Sequence, residues 1–323
     1  MGFFSKLFGG GPSFKPTLQA HPALAAVVGP MKSSNVAPAL ALYTSSTNDP
    51  ELRFRLIEAA ANLFGAEGTR TILLDAWAKN TPNDPYAALV RAKWIISSAP
   101  SWSPNDPEDV ADAARAANTA AAKQALAEYQ RIAALAPQDP VPWALMLQLP
   151  LIFELEGKQG LYNEVTRRFP GFFPAQLAMH HALTAMWYGD HNQSVNFMRG
   201  VASAAPPGSD LHALVPYGHF RVFGYEKFFG AGPEAAKQLI SNPAIQQECL
   251  GAFERSLWSP QYRPGYWSLW AASVAAIWFD ELGDAARAKA AFEKLGDAFD
   301  EDSDPWNCST ATFANIRAKY IPA

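Results

Sequence analysis

Apolar residues recur every three or four positions along most of the chain, and short polar breaks that contain proline separate the apolar stretches. Three of these stretches, "ELRFRLIEAAANLFG", "YAALVRAKWII" and "VPWALMLQLPLIFELEG", directly follow Asp49-Pro50, Asp84-Pro85 and Asp139-Pro140. An aspartate there accepts a hydrogen bond from a free amide of the first helical turn, and proline suits the next position because no amide is needed there. We therefore predict that a helix begins at each of these prolines and that the fold is all-α.

Two stretches place small or apolar residues and a Gly-Asp pair at the same offsets of three, four, five and four positions. The positions are Ala276, Phe279, Gly283, Ala288 and Phe292 near the C-terminus, and Ala182, Ala185, Gly189, Ser194 and Met198 in the middle of the chain. The pattern resembles the tetratricopeptide repeat (TPR), in which small residues let two helices pack closely and Gly-Asp forms the turn between them. The resemblance implies an irregular TPR-like superhelix, a right-handed solenoid of α-α hairpins with about twelve to sixteen helices.

A second resemblance covers roughly residues 49–306. The stretches "DPVPWALM", "AMWYGDHNQSVNFMRGVASAAPPGSDL", "SPQYRPG" and "DELGDAARAKAAFEKLGD" resemble a bacterial family of TPR-like helical proteins that has no established activity. The resemblance supports the helical fold and carries over no catalytic residue. The predicted organisation is an amphipathic segment with a glycine hinge at 1–11, an irregular lead-in or one helical hairpin at 12–48, a TPR-like array at 49–305, and a C-terminal tail or cap at 306–323.

Composition and charge narrow the class of protein. Hydrophobic residues make up 49% of the chain and charged residues 17%, which is typical of a folded chain. The net charge of −4 argues against a nucleic-acid partner, because proteins that bind nucleic acids usually present a basic face. The two cysteines, Cys249 and Cys308, lie far apart and form no CxxC motif, as expected in a reducing compartment. We predict a cytoplasmic protein without a transmembrane helix or a secretory signal.

The N-terminal segment "MGFFSKLF" is amphipathic if helical, because Phe3, Phe4, Leu7 and Phe8 then line one side. This segment has three interpretations: a weak anchor at a membrane surface such as the inner membrane, a plug for a partner's groove, or a segment that packs on its own chain or stays disordered.

The TPR alignment also suggests which side chains line a concave binding face. Trp270, Asp280, Met179 and Met186 fall on the first-helix face that lines such grooves, and aromatic and Met side chains are favoured anchors for partners. A polar and aromatic cluster of Tyr217, His219 and Arg221 is a further candidate contact site.

Motifs for catalysis and metal binding are absent from the sequence. No HExxH, G-x-S-x-G or P-loop occurs, and in the acidic run that begins at Asp300 a proline stands where a calcium loop needs glycine. We therefore predict no metal, no cofactor and no enzymatic activity. The leading hypothesis is a non-catalytic adaptor or scaffold that binds a protein or peptide. The alternatives are a membrane-surface accessory protein anchored by residues 1–8, and an enzyme or small-ligand binder with a pocket inside the superhelix.

Overall fold

The computed structural model describes residues 21–64, 68–81, 83–100, 107–149, 153–299 and 310–321. Within these ranges the chain forms sixteen α-helices and a 3₁₀ helix, and no β-strand is present there. The all-α prediction is therefore confirmed for the described residues. The chain divides into two compact units, here called the N-terminal unit (21–201) and the C-terminal unit (202–323), with the boundary inside one helix.

The helices of the N-terminal unit are α1 (Pro22–Lys32), α2 (Ala37–Ser45), α3 (Pro50–Phe64), α4 (Gly68–Asn80), α5 (Pro85–Ser97), α6 (Glu108–Leu135), α7 (Pro140–Leu147), α8 (Leu155–Arg168), α9 (Phe173–Ala182) and most of α10 (His191–Ala204). Those of the C-terminal unit are the 3₁₀ helix (Asp210–Ala213), α11 (Leu214–Phe228), α12 (Pro233–Ile240), α13 (Pro243–Arg255), α14 (Ser268–Leu282), α15 (Ala285–Leu295) and α16 (Thr310–Ala318). None of the helices in the described ranges is long and apolar enough to cross a membrane.

The predicted helix starts at the Asp-Pro pairs are confirmed, because α3, α5 and α7 each begin at the proline. The aspartate before each proline accepts a hydrogen bond from a first-turn amide. The N···O distances are 3.0 Å for Asp49, 2.9 Å for Asp84 and 3.0 Å for Asp139. These carboxylates satisfy amides that would otherwise have no partner within the helix.

Helix α3 is the centre of the N-terminal unit, since it packs against α1, α2, α4, α5 and α7. Its buried side chains include Leu52, Phe54, Leu56 and Ile57, which pack on the neighbouring helices. The contact between α3 and α7 joins helices that are four elements apart, whereas a simple repeat array contacts mainly its sequence neighbours. The TPR-like superhelix therefore stays a prediction.

The hairpin of α14 and α15 in the C-terminal unit confirms the predicted Gly-Asp turn. Helix α14 ends at Leu282, and Gly283 adopts the left-handed conformation (φ 72°) that favours glycine at a helix end. The carboxylate of Asp284 then accepts a hydrogen bond from the Arg287 amide at 3.1 Å and caps α15. The small residues predicted to lie between the two helices, such as Ala288, are fully buried.

The corresponding turn in the N-terminal unit differs from that prediction. Helix α9 ends at Ala182, and an irregular segment, here called the 183–190 turn, precedes α10. The amides of Trp187 and Gly189 donate to the Thr184 carbonyl at 3.0 and 3.3 Å, so this turn folds back on itself. A Cβ atom at Gly189 would overlap the main chain at the start of the turn, which explains the glycine. Helix α9 therefore ends well before Gly189, whereas α14 continues up to Gly283.

Candidate binding site

A cavity of about 340 Å³ opens in the N-terminal unit where α5, α7, α8 and α9 meet the 183–190 turn. Leucine and alanine side chains of α7 and α9 form its apolar walls. The polar and aromatic lining residues are Lys93, Gln148, Lys158, His181, Trp187 and Tyr188. The volume lies at the lower end of the ~300–1,000 Å³ that ligand pockets span. The cavity therefore has room for one large side chain or a small molecule.

Lys158, in the first turns of α8, is 8% exposed and reaches the C-terminal end of α7. Its Nζ donates hydrogen bonds to the main-chain carbonyls of Leu147 at 2.8 Å and Leu149 at 3.0 Å. The last carbonyls of a helix have no partner within the helix, so the ammonium satisfies groups that would otherwise be buried without one. Burial also lowers the pKa of Lys158 to about 8, because it disfavours the charged form.

Lys93, on α5, is partly buried and brings a second ammonium group to the same place. Its Nζ donates at 3.0 Å to the side-chain oxygen of Gln148, the residue between Leu147 and Leu149 in the sequence. Burial lowers the pKa of Lys93, and the carboxylate of Glu58 opposes that shift. Both ammonium groups therefore gather at residues 147–149, where α7 ends.

The rim of the cavity is aromatic and open to solvent. Met186 and Trp187 are each 50% exposed and Tyr188 is 39% exposed, all three in the 183–190 turn. The Tyr188 hydroxyl donates to the Phe153 carbonyl at 3.0 Å, which fixes the turn against the segment before α8. Neighbouring large apolar side chains that stay exposed are informative, because such patches often mark binding sites.

The structure separates the two methionines predicted for a binding face. Met186 is 50% exposed in the 183–190 turn, next to Trp187 in the sequence, whereas Met179 is only 1% exposed in α9 and is not available to a partner. The N-terminal side chains Phe3, Phe4, Leu7 and Phe8 lie outside the described residues, so the membrane hypothesis stays a prediction.

The predicted polar and aromatic cluster on α11 is mostly inside the C-terminal unit. Tyr217 is fully buried, and its ring meets that of Trp270 edge-on with centroids 4.9 Å apart. His219 is 5% exposed and shares a hydrogen bond of 2.9 Å with the Glu248 carboxylate. Arg221 is partly buried. Buried rings and satisfied polar groups of this kind indicate packing within the unit, so these residues do not form an open contact surface.

Asp280, predicted to line a groove, is covered by the C-terminal end of the chain. Its carboxylate accepts hydrogen bonds from Lys319 Nζ at 2.9 Å and from the Tyr320 hydroxyl at 2.7 Å. The Tyr320 ring also stacks on Phe292 with a centroid distance of 5.6 Å. The segment that follows α16 therefore acts as a cap on the α14–α15 hairpin.

The cavity's lysines, His181 and the two rings of its rim were not among the site residues predicted from the sequence. Three large apolar residues in a row before Gly189, "MWY", were a visible signal, because such a run is unusual in a short turn. Nothing in the local sequence marks Lys158 as buried, since "EGKQG" is typical of a solvated helix start. Its burial depends on where α7 ends in space.

The structure was also searched for metal-binding clusters, and the chain was compared with known proteins. In the part of the chain that the structure describes, no group of three or more His, Cys, Asp or Glu side chains is placed to hold a metal ion. The acidic run at 300–304 lies outside that part. Comparisons with models of protein families, with curated proteins and with solved structures found no match. The functional inference therefore depends on the geometry of the cavity.

Proposed function

We propose that the protein is a non-catalytic adaptor or scaffold that holds a peptide segment of a partner protein at the cavity of the N-terminal unit. The observation that supports this best is the exposed run of Met186, Trp187 and Tyr188 beside a cavity with room for one anchoring side chain. Aromatic residues next to a pocket supply much of the binding energy at many interfaces, and Met adapts to differently shaped partners.

We also propose that the hairpins form an irregular TPR-like superhelix in a cytoplasmic protein. The α14–α15 hairpin supports this proposal, because its Gly-Asp turn and its buried Ala276, Ala288 and Phe292 occupy the expected positions. The net charge of −4 favours a protein or peptide partner over nucleic acid.

A small-ligand binder is the second candidate function. The observation that favours it is the convergence of Lys93, Gln148 and Lys158 on one end of the same cavity. A few polar groups that converge within apolar walls are characteristic of small-molecule sites.

Affinity selection from a random synthetic peptide library, read by mass spectrometry, tests the peptide proposal. The library contains peptides with free C-terminal carboxylates and the same peptides as C-terminal amides. Selected peptides are then titrated against the wild-type protein and against Trp187→Ala. We expect Trp187→Ala to weaken binding by about 30-fold, which corresponds to the ~2 kcal/mol of an interface hot spot.

The matched control is Phe228→Ala, which removes a comparably exposed ring (73% exposed) from the C-terminal unit. We expect this variant to bind the selected peptides like the wild type, and circular dichroism checks that both variants fold. Peptides that bind Trp187→Ala as tightly as the wild type, or a library from which nothing is selected, would contradict the proposal.

A further inference from the structure

The cavity contains two cationic side chains that form no ion pair with a carboxylate of the described residues. Among the described residues, neither Lys93 nor Lys158 forms an ion pair, and their contacts are with neutral oxygens only. Buried charges in proteins are usually paired, because removing a charge from water is costly. An unpaired ammonium group at the wall of a cavity therefore favours an anion inside it.

Hydrogen-bond donors remain on both lysines. An ammonium group has three N–H donors. Lys158 uses two of them on main-chain carbonyls, and Lys93 uses one on Gln148. One donor of Lys158 and two of Lys93 are therefore left for an acceptor in the cavity. A carboxylate, which accepts through two oxygens, matches this supply.

The surrounding charges do not cancel the two ammonium groups. Glu58 on α3 is the carboxylate that acts on Lys93, but it accepts a hydrogen bond from Arg55 at 2.9 Å and is balanced by that cation. The other ionisable side chains of the lining are His181 and Tyr188, neither of which supplies a negative charge at neutral pH. The cavity therefore stays cationic, while much of its wall is apolar.

We propose that the cavity binds a carboxylate that carries an apolar group. Lys93 and Lys158 donate to the carboxylate oxygens, and the apolar group lies against the leucines of α7 and α9 and the ring of Trp187. This inference rests on the proposed function, because the last residue of a peptide has this chemistry in its α-carboxylate and side chain. A free aromatic or aliphatic acid has the same chemistry.

Nuclear magnetic resonance titrations of the full chain with three probes test the inference. N-acetyl-L-phenylalanine carries the carboxylate and a ring, its amide carries the ring without the charge, and inorganic phosphate carries charge without the ring. We expect the acid to bind at least about tenfold more tightly than the amide, the ratio expected for loss of a charged hydrogen bond. Phosphate is expected to bind more weakly than the acid.

The same titrations on variants locate the site. Lys93→Met removes an ammonium group that contacts only a side chain, so we expect the fold to persist and the affinity for the acid to fall about tenfold. The control is Lys123→Met, at an exposed lysine of α6, which should leave the affinity unchanged. Equal binding of acid and amide, tighter binding of phosphate, or an unaffected Lys93→Met would overturn the inference and leave the lysines as caps of α7 only.

The two proposals fail in different ways. If the acid probe binds but no library peptide does, the carboxylate site stands with a small acid as its ligand and the peptide function fails. If library peptides bind through Trp187 equally well as acids and as amides, the peptide function stands and the carboxylate inference is overturned. Preferential selection of peptides with free carboxylates supports both.

Discussion

Two buried cations of the N-terminal unit, Arg53 and Lys158, differ in whether a carboxylate pairs with them. Arg53 on α3 meets Asp139 at the start of α7 in a two-pronged ion pair, with N···O distances of 2.5 and 2.9 Å. Both side chains are about nine-tenths buried. Lys158, buried to a similar degree at the other end of α7, contacts carbonyl oxygens and no carboxylate of the described residues. Helix α7 therefore has an ion pair at its start, whereas the ammonium group at its end has no counter-charge among the described residues.

We interpret the Arg53–Asp139 pair as structural and Lys158 as a candidate functional group. The Arg53–Asp139 pair joins two helices and neither side chain lines the cavity, so we assign it the role of fixing how α3 and α7 pack. Lys158 caps α7 but also faces a cavity with an exposed aromatic rim. A charge that has no counter-charge among the described residues and faces an open cavity is the kind of group that an anionic ligand pairs with.

The largest expected loss of stability follows from removing the carboxylate of the buried Arg53–Asp139 pair. Asp139→Asn leaves the Arg53 guanidinium buried without a counter-charge, and we expect the free energy of unfolding to fall by about 3–5 kcal/mol. Urea denaturation followed by circular dichroism measures this. The control is Asp75→Asn, in the more exposed Arg91–Asp75 pair, where the expected loss is below about 1 kcal/mol. Equal losses in the two variants would show that burial of the pair does not matter.

A smaller loss of stability is expected when the uncompensated charge is removed. Lys158→Met abolishes two hydrogen bonds to carbonyls but also removes the cost of a buried ammonium, so we expect a loss of about 1–2 kcal/mol in urea denaturation. A loss as large as that of Asp139→Asn would mean that Lys158 serves mainly to hold α7 and α8 together.

The C-terminal unit offers a partly buried carboxylate, Asp210, that sharpens the comparison. Asp210 accepts hydrogen bonds from the Tyr262 hydroxyl at 3.0 Å and from Ser268 Oγ at 3.1 Å, and no cation of the described residues pairs with it. Burial raises the pKa of Asp210 to about 6, while these two hydroxyls oppose the shift. Like Lys158, Asp210 is a charged group without a counter-charge among the described residues. Unlike Lys158, it is hydrogen-bonded by two hydroxyl groups.

The raised pKa gives Asp210 a testable effect on stability. The folded-state pKa lies above the unfolded value of 3.8, so the cost of the buried carboxylate is full above pH 6 and is relieved as the pH falls toward 4. We expect the wild type to gain up to about 1 kcal/mol relative to Asp210→Asn between pH 7 and pH 5. Parallel pH profiles of the two proteins in urea denaturation would contradict this.

How much the sequence predicted depended on whether the signal was local. Capping by Asp84 and Asp139 and the turn at Gly283 depend on residues next to each other in the chain, and the structure confirms them. The early end of α9 at Ala182 depends on a turn that folds back over it, and sequence periodicity does not record this. The burial of Lys158 depends on the distant end of α7, so its residue type suggested only a solvated surface.

Asp280 also shows that distant contacts could not be predicted from the sequence, because a residue predicted to be accessible is covered in the structure. Its position on the face of α14 was predicted to be open to a partner, but Lys319 and Tyr320, about forty residues later in the chain, contact its carboxylate. Composition marked the C-terminal residues as a tail or cap without indicating which side chain they would cover. Contacts between residues far apart in the chain determine which of the predicted surfaces remain accessible.

We infer that the ammonium group of Lys158 binds the carboxylate of a ligand, and the titration of Lys158 itself tests this inference most directly. With ¹³C-labelled lysine, the Lys158 Cε resonance is assigned by its absence in Lys158→Met and followed against pH. We predict a pKa of about 8 in the free protein, well below the ordinary 10.5. Saturation with N-acetyl-L-phenylalanine should raise it by about one unit or more, whereas the amide should leave it unchanged. A Lys158 that titrates at its ordinary pKa, or one that the acid does not shift, would contradict the account.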